Sequence, residues 1–190
     1  MRSFTTIPGA TMANAASIQF SHMGIHVRNV ERMRDFYTRL LGFVVTDEGE
    51  TPKRRFAFLS GSADEHHQLV LAGGRPEDVP FNVVNQISFK LDSLATLREV
   101  AGKLEGEGVS EAEPVNHGNA WALYFADPEG NRVECFVDTP WHCRQPCGEN
   151  FDLDTDDETL LARTEELCRE QGDFMPREQW RKRMAARLEG

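Results

Sequence analysis

No apolar run in this 190-residue chain approaches the roughly 18 residues needed to cross a bilayer. Positive charge is scarce: 21 Lys and Arg stand against 31 Asp and Glu, a formal net charge of −10. Phosphate backbones and anionic headgroups are held by clustered cations, so neither nucleic acid nor a membrane is an expected partner. The opening "MRSFTTIPGATMANAAS" has no continuous apolar stretch and does not read as a secretory signal. It reads as a flexible leader over residues 1–17, with Met12 as an alternative start. Cysteine is sparse, at positions 135, 143, 147 and 168, and without a signal a cytoplasmic protein with reduced thiols is expected. Cys143 and Cys147 beside His142 give only thin support for a metal centre, because a lone C-x3-C lacks the second pair of ligands. What remains is ordinary. Hydrophobic residues make up 39% of the chain, and the length suits one domain or two small modules sharing a core.

An internal repeat organises residues 18–140. Shifted by 64 positions, "SHMGIHVRNV" (21–30) falls on "NQISFKLDSL" (85–94), placing His22 on Gln86, Ile25 on Phe89, Val27 on Leu91 and Val30 on Leu94. The first module (18–72) opens with the strand "FSHMGIHV". Asn29 is positioned to cap a helix in which Val30, Met33, Phe36, Tyr37, Leu40 and Leu41 recur at helical spacing, and Gly42 ends it. Strands "FVVTDE", "RRFAFLS" and "HHQLVLA" follow. The linker "GGRPEDVPFNV" (73–83) leads to the second module (82–140). There the strand "NQISFKL" precedes a helix capped by Ser93, with Leu94, Leu97, Val100, Ala101 and Leu104 on its apolar side. Strands near "EAEPVNH", "AWALYFA" and "NRVECFV" complete it, the last two joined by the turn "DPEGN" (127–131).

Each module therefore reads β-α-β-β-β, and neither covers both faces of its own sheet. The expected fold is α+β: two modules side by side as a curved open barrel with helices outside. Residues 141–190 form an extension of loop and helices, "ETLLARTEELCRE" and "PREQWRKRMAARL", the second opened by Pro176. Trp180, Met184 and Leu188 lie at helical spacing and are expected to pack on the modules or on a second subunit. A homodimer is expected, since symmetric dimers are the commonest oligomers.

The stretches "SHMGIHVRNVERMRDFYTRLLGF", "EHHQLVLAGG", "NQISFKLDSL" and "HGNAWALYFADPEGNRVECFVDTPW" resemble the vicinal oxygen chelate superfamily over about residues 18–140. Its members include glyoxalase I, bleomycin-resistance proteins, fosfomycin-resistance enzymes and extradiol ring-cleaving dioxygenases. The "YF-DP-GN-E" pattern is similar to the end of an extradiol dioxygenase site. The resemblance implies metal ligands on the first and last strands of the modules, facing into a cup. His22 matches the first ligand histidine and Glu134 the ligand carboxylate, while Gln86 stands where the second ligand histidine is expected. Two histidines and one carboxylate suit non-haem Fe(II), leaving positions open for substrate and O2. An amide oxygen keeps a neutral donor but a weaker one, and some glyoxalases use it.

His67, in "DEHHQLVL", matches the acid/base residue of the dioxygenases. Strand alternation puts His67 and Gln68 on opposite faces, and a shift of 66 sets Gln68, not His67, on Glu134. A bulge or one-residue slip is expected to bring His67 inward. His117 and Tyr124 match residues that hydrogen-bond substrate oxygens. Phe58, Trp121 and Phe125 are candidates for an aromatic lining or for plain core; His26 and His66 are expected to face outward. The implied activity is an Fe2+-dependent dioxygenase cleaving a small aromatic vicinal diol with O2. The alternatives are a Mn2+, Zn2+ or Ni2+ lyase or isomerase working through an enediolate, favoured by Gln86, and a non-catalytic binding module.

Overall fold

Helix α1 (Val30–Leu41) begins where the Asn29 side chain accepts the Arg32 N–H at 2.8 Å, and ends at Gly42, whose φ of 70° turns its N–H back to the Thr38 carbonyl. The computed structural model describes residues 19–78, 81–109 and 111–189, so the leader expected over 1–17 lies outside the described residues. Around α1 run β1 (Met23–Val27), β2 (Val44–Thr51), β3 (Arg54–Ser60) and β4 (Leu69–Gly73), a four-stranded sheet in the order β1-β4-β3-β2. The second half repeats this with β5 (Ile87–Lys90), α2 (Leu94–Leu104, capped by Ser93), β6 (Ala112–Asn116), β7 (Ala120–Ala126) and β8 (Arg132–Asp138). Its sheet has five strands, β10-β6-β7-β8-β5, because β10 (Glu149–Asn150) adds to the β6 edge. The fold is α+β in two β-α-β-β-β units, and the two sheets do not close into one barrel.

Both halves pair their first and last strands in parallel, and the registers coincide. Gly24 lies beside Val70 in one and Ser88 beside Glu134 in the other. The shift of 64 therefore holds along the last strands too, and it places Val70, not Gln68, at the position of Glu134. The two halves also share one core. Phe36 of α1 meets Phe125 of β7 at 6.5 Å between ring centroids, and Tyr37 and Phe43 meet Phe89 of β5 at 6.1 and 5.3 Å. Trp121 and Phe125, candidates for a cup lining, are 6% and 3% exposed within this core. Alternation on β7 assigns them to the helix side and Ala122 and Tyr124 to the other.

The "DPEGN" turn does more than reverse the chain. Asp127 accepts from Glu129 N, Asn131 N and the Tyr37 hydroxyl. The Glu129 carboxylate, 4% exposed, accepts the Arg28 and Asn29 N–H groups at 2.7 and 2.8 Å, just ahead of α1, and faces Arg75 at 3.7 Å. One turn of the second module thus holds the helix entrance of the first. Glu129→Ala leaves two amides without their acceptor and a buried guanidinium without its counter-charge, and a loss of about 2–4 kcal/mol is expected in denaturant unfolding.

The extension differs from the plain loop read in the sequence. Besides β10, β9 (Trp141–His142) pairs with β11 (Met175–Pro176), and two-residue strands are too short for alternation to reveal. Pro176 belongs to β11, and α4 (Arg177–Glu189) starts one residue later. Helix α3 (Asp157–Gln171) lies against the second module through Thr164, whose hydroxyl accepts from Asn116 and Trp121. On α4, Trp180 stacks on His142 at 5.3 Å, while Leu188 stays 45% exposed. Among the described residues no helix is long and apolar enough to cross a membrane.

Candidate active site

The faces of the two sheets turned away from the helices carry the polar residues. On β5 and β8, alternation sends Ile87, Val133 and Cys135 into the core and turns Ser88, Arg132 and Glu134 to the open side. Glu134 is 8% exposed and sits at the centre of a hydrogen-bonded group. Its Oε2 accepts from the Gln86 amide at 2.7 Å and from the Ser88 hydroxyl, and its Oε1 accepts from the Tyr124 hydroxyl at 2.6 Å. Tyr124 is 3.0 Å from His117 Nε2, and His117 Nδ1 is 2.6 Å from the Cys147 carbonyl oxygen. A carbonyl only accepts, so Nδ1 carries a hydrogen. The single phenolic hydrogen of Tyr124 then has two acceptors in reach, Glu134 and, in the neutral ring, His117 Nε2. Burial, and then the hydrogen bond to Glu134, push the Tyr124 phenol well above its usual range, so it stays a donor near neutral pH.

A second group forms on the first module. The His22 and His67 rings meet edge-on at 4.3 Å between centroids, and His67 lies 5.3 Å from the Phe58 ring. His66 Nδ1 approaches His67 Nδ1 at 2.9 Å. His67 lies two residues ahead of β4, so strand alternation does not govern its direction, while Gln68 turns its Oε1 to the Gly61 N–H. Burial first, then the nearby His22 and His66, lower the His67 pKa, which keeps its ring free to take a proton. His26 contacts Arg54. Among the described residues no hydrogen bond joins the His22–His67 group to the Gln86–Glu134 group.

Sequence reasoning missed Ser88 and Arg132. Both lie two residues from a candidate ligand on the same strand face, so alternation from Gln86 and Glu134 was the available signal. The Arg132 guanidinium carbon lies 4.1 Å over the Tyr124 ring.

Two features of the Glu134 group suit a divalent ion. Glu134 is buried, yet among the described residues no Lys, Arg or His pairs with it; three neutral groups donate to it. A buried carboxylate without a cation is under-compensated. Gln86 spends its amide nitrogen on Glu134, and nothing among the described residues donates to its amide oxygen. Among the described residues no group of three or more His, Cys, Asp or Glu side chains is placed to hold a metal ion.

The cysteines form no such site with His142. The His142 ring stacks on Trp180 and points Nε2 to Asp173 at 3.4 Å, whereas Cys143, Cys147 and Cys168 gather at Gly118. A Cβ on Gly118 would lie 2.5 Å from the Cys143 sulfur and 2.8 Å from that of Cys168, and φ there is 73°, so only glycine lets the three thiols close under His117. All four thiols are buried, and burial pushes Cys143 and Cys147 up to about 11 and Cys135 to about 12. A thiol-specific reagent at pH 8 is therefore expected to titrate almost none in the native protein within minutes, and all four after unfolding. The sign for stability follows. Unfolded thiols ionise near 9 and the folded pair near 11, so their contribution is complete below pH 9 and drains away as pH climbs through that interval.

Residues 19–135 match the family model of the Glyoxalase/Bleomycin resistance protein/Dioxygenase superfamily. The chain belongs to that superfamily. Biphenyl-2,3-diol 1,2-dioxygenase 2 of Rhodococcus globerulus is 29% identical over 127 residues, 65% of this chain and 64% of its own length. The chain thus spans just under two thirds of that relative. A lactoylglutathione lyase of Neisseria meningitidis is 29% identical over 119 residues, 60% of this chain and 86% of its own. Among solved structures, a glyoxylase/bleomycin resistance protein/dioxygenase domain from Frankia superposes with a TM-score of 0.56 at 22% identity, covering 64% of this chain and 93% of that one. The fosfomycin resistance protein FosX of Listeria monocytogenes, complexed with Mn(II) and sulfate, gives 0.51 at 17%, covering 64% and 93%. These superpositions support the fold.

Proposed function

We propose that this superfamily member is a metal-dependent dioxygenase that opens an aromatic vicinal diol beside its hydroxyls. The line from His117 through Tyr124 to the buried Glu134 carries this reading, because it sets a phenol donor and an imidazole beside the open carboxylate face. His22, Gln86 and Glu134 would hold Fe(II), which when bound supplies the positive charge that favours a deprotonated diol and a place for O2 to accept electron density. The residues themselves do the proton work. His67, kept neutral near pH 7, takes a phenolic proton. The Tyr124 hydroxyl turns between Glu134 and a substrate oxygen, and donates where anionic charge develops. His117 is fixed by the Cys147 carbonyl and holds Tyr124 in place. The diol relatives in Rhodococcus support the substrate class.

One observation favours a second reading. Gln86 gives Glu134 a neutral amide partner in place of a histidine, which suits a lyase or isomerase that stabilises an enediolate without oxygen; the lactoylglutathione lyase relatives point the same way. Oxygen consumption by Fe(II)-reconstituted protein with a panel of catechols decides between them. Uptake with a ring-opened product is expected. No uptake with any diol, together with conversion of a hemithioacetal, would hand the site to the second reading.

A further inference from the structure

His117 stands in the turn between β6 and β7, but the segment that holds it comes from the extension. The loop between β9 and β10 runs past it, and this loop lies beyond residues 19–135, the part of the chain that matches the family model. The Cys147 carbonyl accepts from His117 Nδ1 at 2.6 Å. Gln145 ties the two backbones together. Its amide nitrogen donates to the His117 carbonyl at 2.9 Å, and its amide oxygen accepts the Cys147 N–H at 3.1 Å. The loop is anchored in turn: the Arg144 N–H donates to the Gly172 carbonyl and the Gln171 amide to the Pro146 carbonyl, both at 2.9 Å. Helix α3 secures the neighbours of His117 as well. Asn116, fully buried, donates to Thr164 of α3 at 3.0 Å and accepts the Gly118 N–H at 2.9 Å.

We infer that Gln145 is a positioning residue of the candidate site: it clips the Cys147 carbonyl onto His117 and so fixes that ring as the Nδ1–H tautomer, with the Nε2 lone pair turned to Tyr124. A neutral imidazole carries one N–H and one lone pair, and the bond made by one nitrogen decides the state of the other. The choice matters because Tyr124 has one hydrogen for two neighbours, His117 at 3.0 Å and Glu134 at 2.6 Å. With Nδ1–H, the phenol can turn its hydrogen to His117 and release the Glu134 oxygen to an ion. With Nε2–H, the ring itself donates to the phenol oxygen, and the Tyr124 hydrogen is left to Glu134. The extension thereby supplies what the two modules do not: a backbone acceptor that sets the direction of the line from His117 through Tyr124 to Glu134. The tautomer rests on the hydrogen bonds alone; its effect on turnover rests on the dioxygenase reading.

Two measurements on the full chain test the inference. The first is nitrogen-15 NMR of the histidine rings in metal-free protein, with the His117 signals assigned by their loss in His117→Asn. The parent is expected to show His117 as the Nδ1–H tautomer, and Gln145→Ala to shift it towards a mixture with the Nε2–H form common in water. Gln145 is exposed, so this variant is expected to keep the parent's fold and melting curve. Gln145→Glu, which keeps an acceptor for the Cys147 N–H, is expected to lie between the two. Tyr124→Phe is expected to leave the tautomer as it is, because the clip and not the phenol sets it. The second measurement is turnover of Fe(II)-loaded protein with catechol. Gln145→Ala is expected to lower kcat about ten-fold with KM little changed, and Gln145→Glu to recover part of the loss. A tautomer that moves in Gln145→Ala, with no oxygen uptake by the parent on any diol, would sink the reaction and leave the clip standing. Oxygen uptake by the parent with a tautomer unmoved in Gln145→Ala, or with a moved tautomer and unchanged turnover, overturns the inference and leaves the reaction. An Nε2–H ring in the parent, or a tautomer lost in Tyr124→Phe, overturns it as well.

Discussion

Glu134→Gln is expected to abolish retention of the divalent ion proposed for this site and to lower turnover about 100-fold or more. The carboxylate accepts three hydrogen bonds, from Gln86, Ser88 and Tyr124, which leaves one of its roughly four lone-pair sites for an ion. An amide keeps the shape but turns an NH2 group towards donors that need an acceptor. About 1–3 kcal/mol of stability should go with it, visible as a lower melting temperature. Metal content after reconstitution, measured by elemental analysis, separates the two effects. Tyr124→Phe supplies the contrast: it removes one donor to Glu134, should leave metal content near that of the parent, and should lower turnover by removing the hydroxyl that meets the substrate. Full metal retention by Glu134→Gln would remove Glu134 from the ligand set.

Much of the scaffold was legible because its signals are local. Asn29, Ser93 and Gly42 act through bonds to residues three or four positions away, and the apolar spacing of α1 and α2 follows from a single helical face. The repeat was legible for the same reason: Gly24 beside Val70 and Ser88 beside Glu134 follow one register. What escaped depends on which face a strand buries and on what distant segments approach it. Trp121 and Phe125 look like pocket aromatics in a string of letters, but one face of β7 is core, and they occupy it. Ser88 gains its meaning only because parallel pairing sets it beside Glu134. The three thiols meet at Gly118 from segments up to 50 residues apart, and no spacing rule announces that. Short strands β9, β10 and β11 exist through their partners rather than through their own sequence.

The substitution Gln86→His carries the second large expectation, an Fe(II) affinity about ten-fold higher, because imidazole is a stronger donor than an amide oxygen. Gln86 now reaches Glu134 at 2.7 Å and Ser88 at 3.2 Å through one amide nitrogen, so a histidine must give up one of these bonds, at about 1 kcal/mol in the metal-free protein. In a dioxygenase the change rebuilds a face of two histidines and one carboxylate, and oxygen uptake with catechols should hold or rise. In an enediolate lyase or isomerase the metal would again bind more tightly, but the native reaction should fall, because the harder oxygen donor is what tuned the ion for that chemistry. Fe(II) retention by itself reports whether Gln86 touches the ion, and the direction of turnover reports which reaction the site performs. The combination is decisive because the two quantities move together in one case and in opposite directions in the other. Retention, oxygen uptake and enediolate activity all unchanged would place Gln86 outside the proposed ligand set.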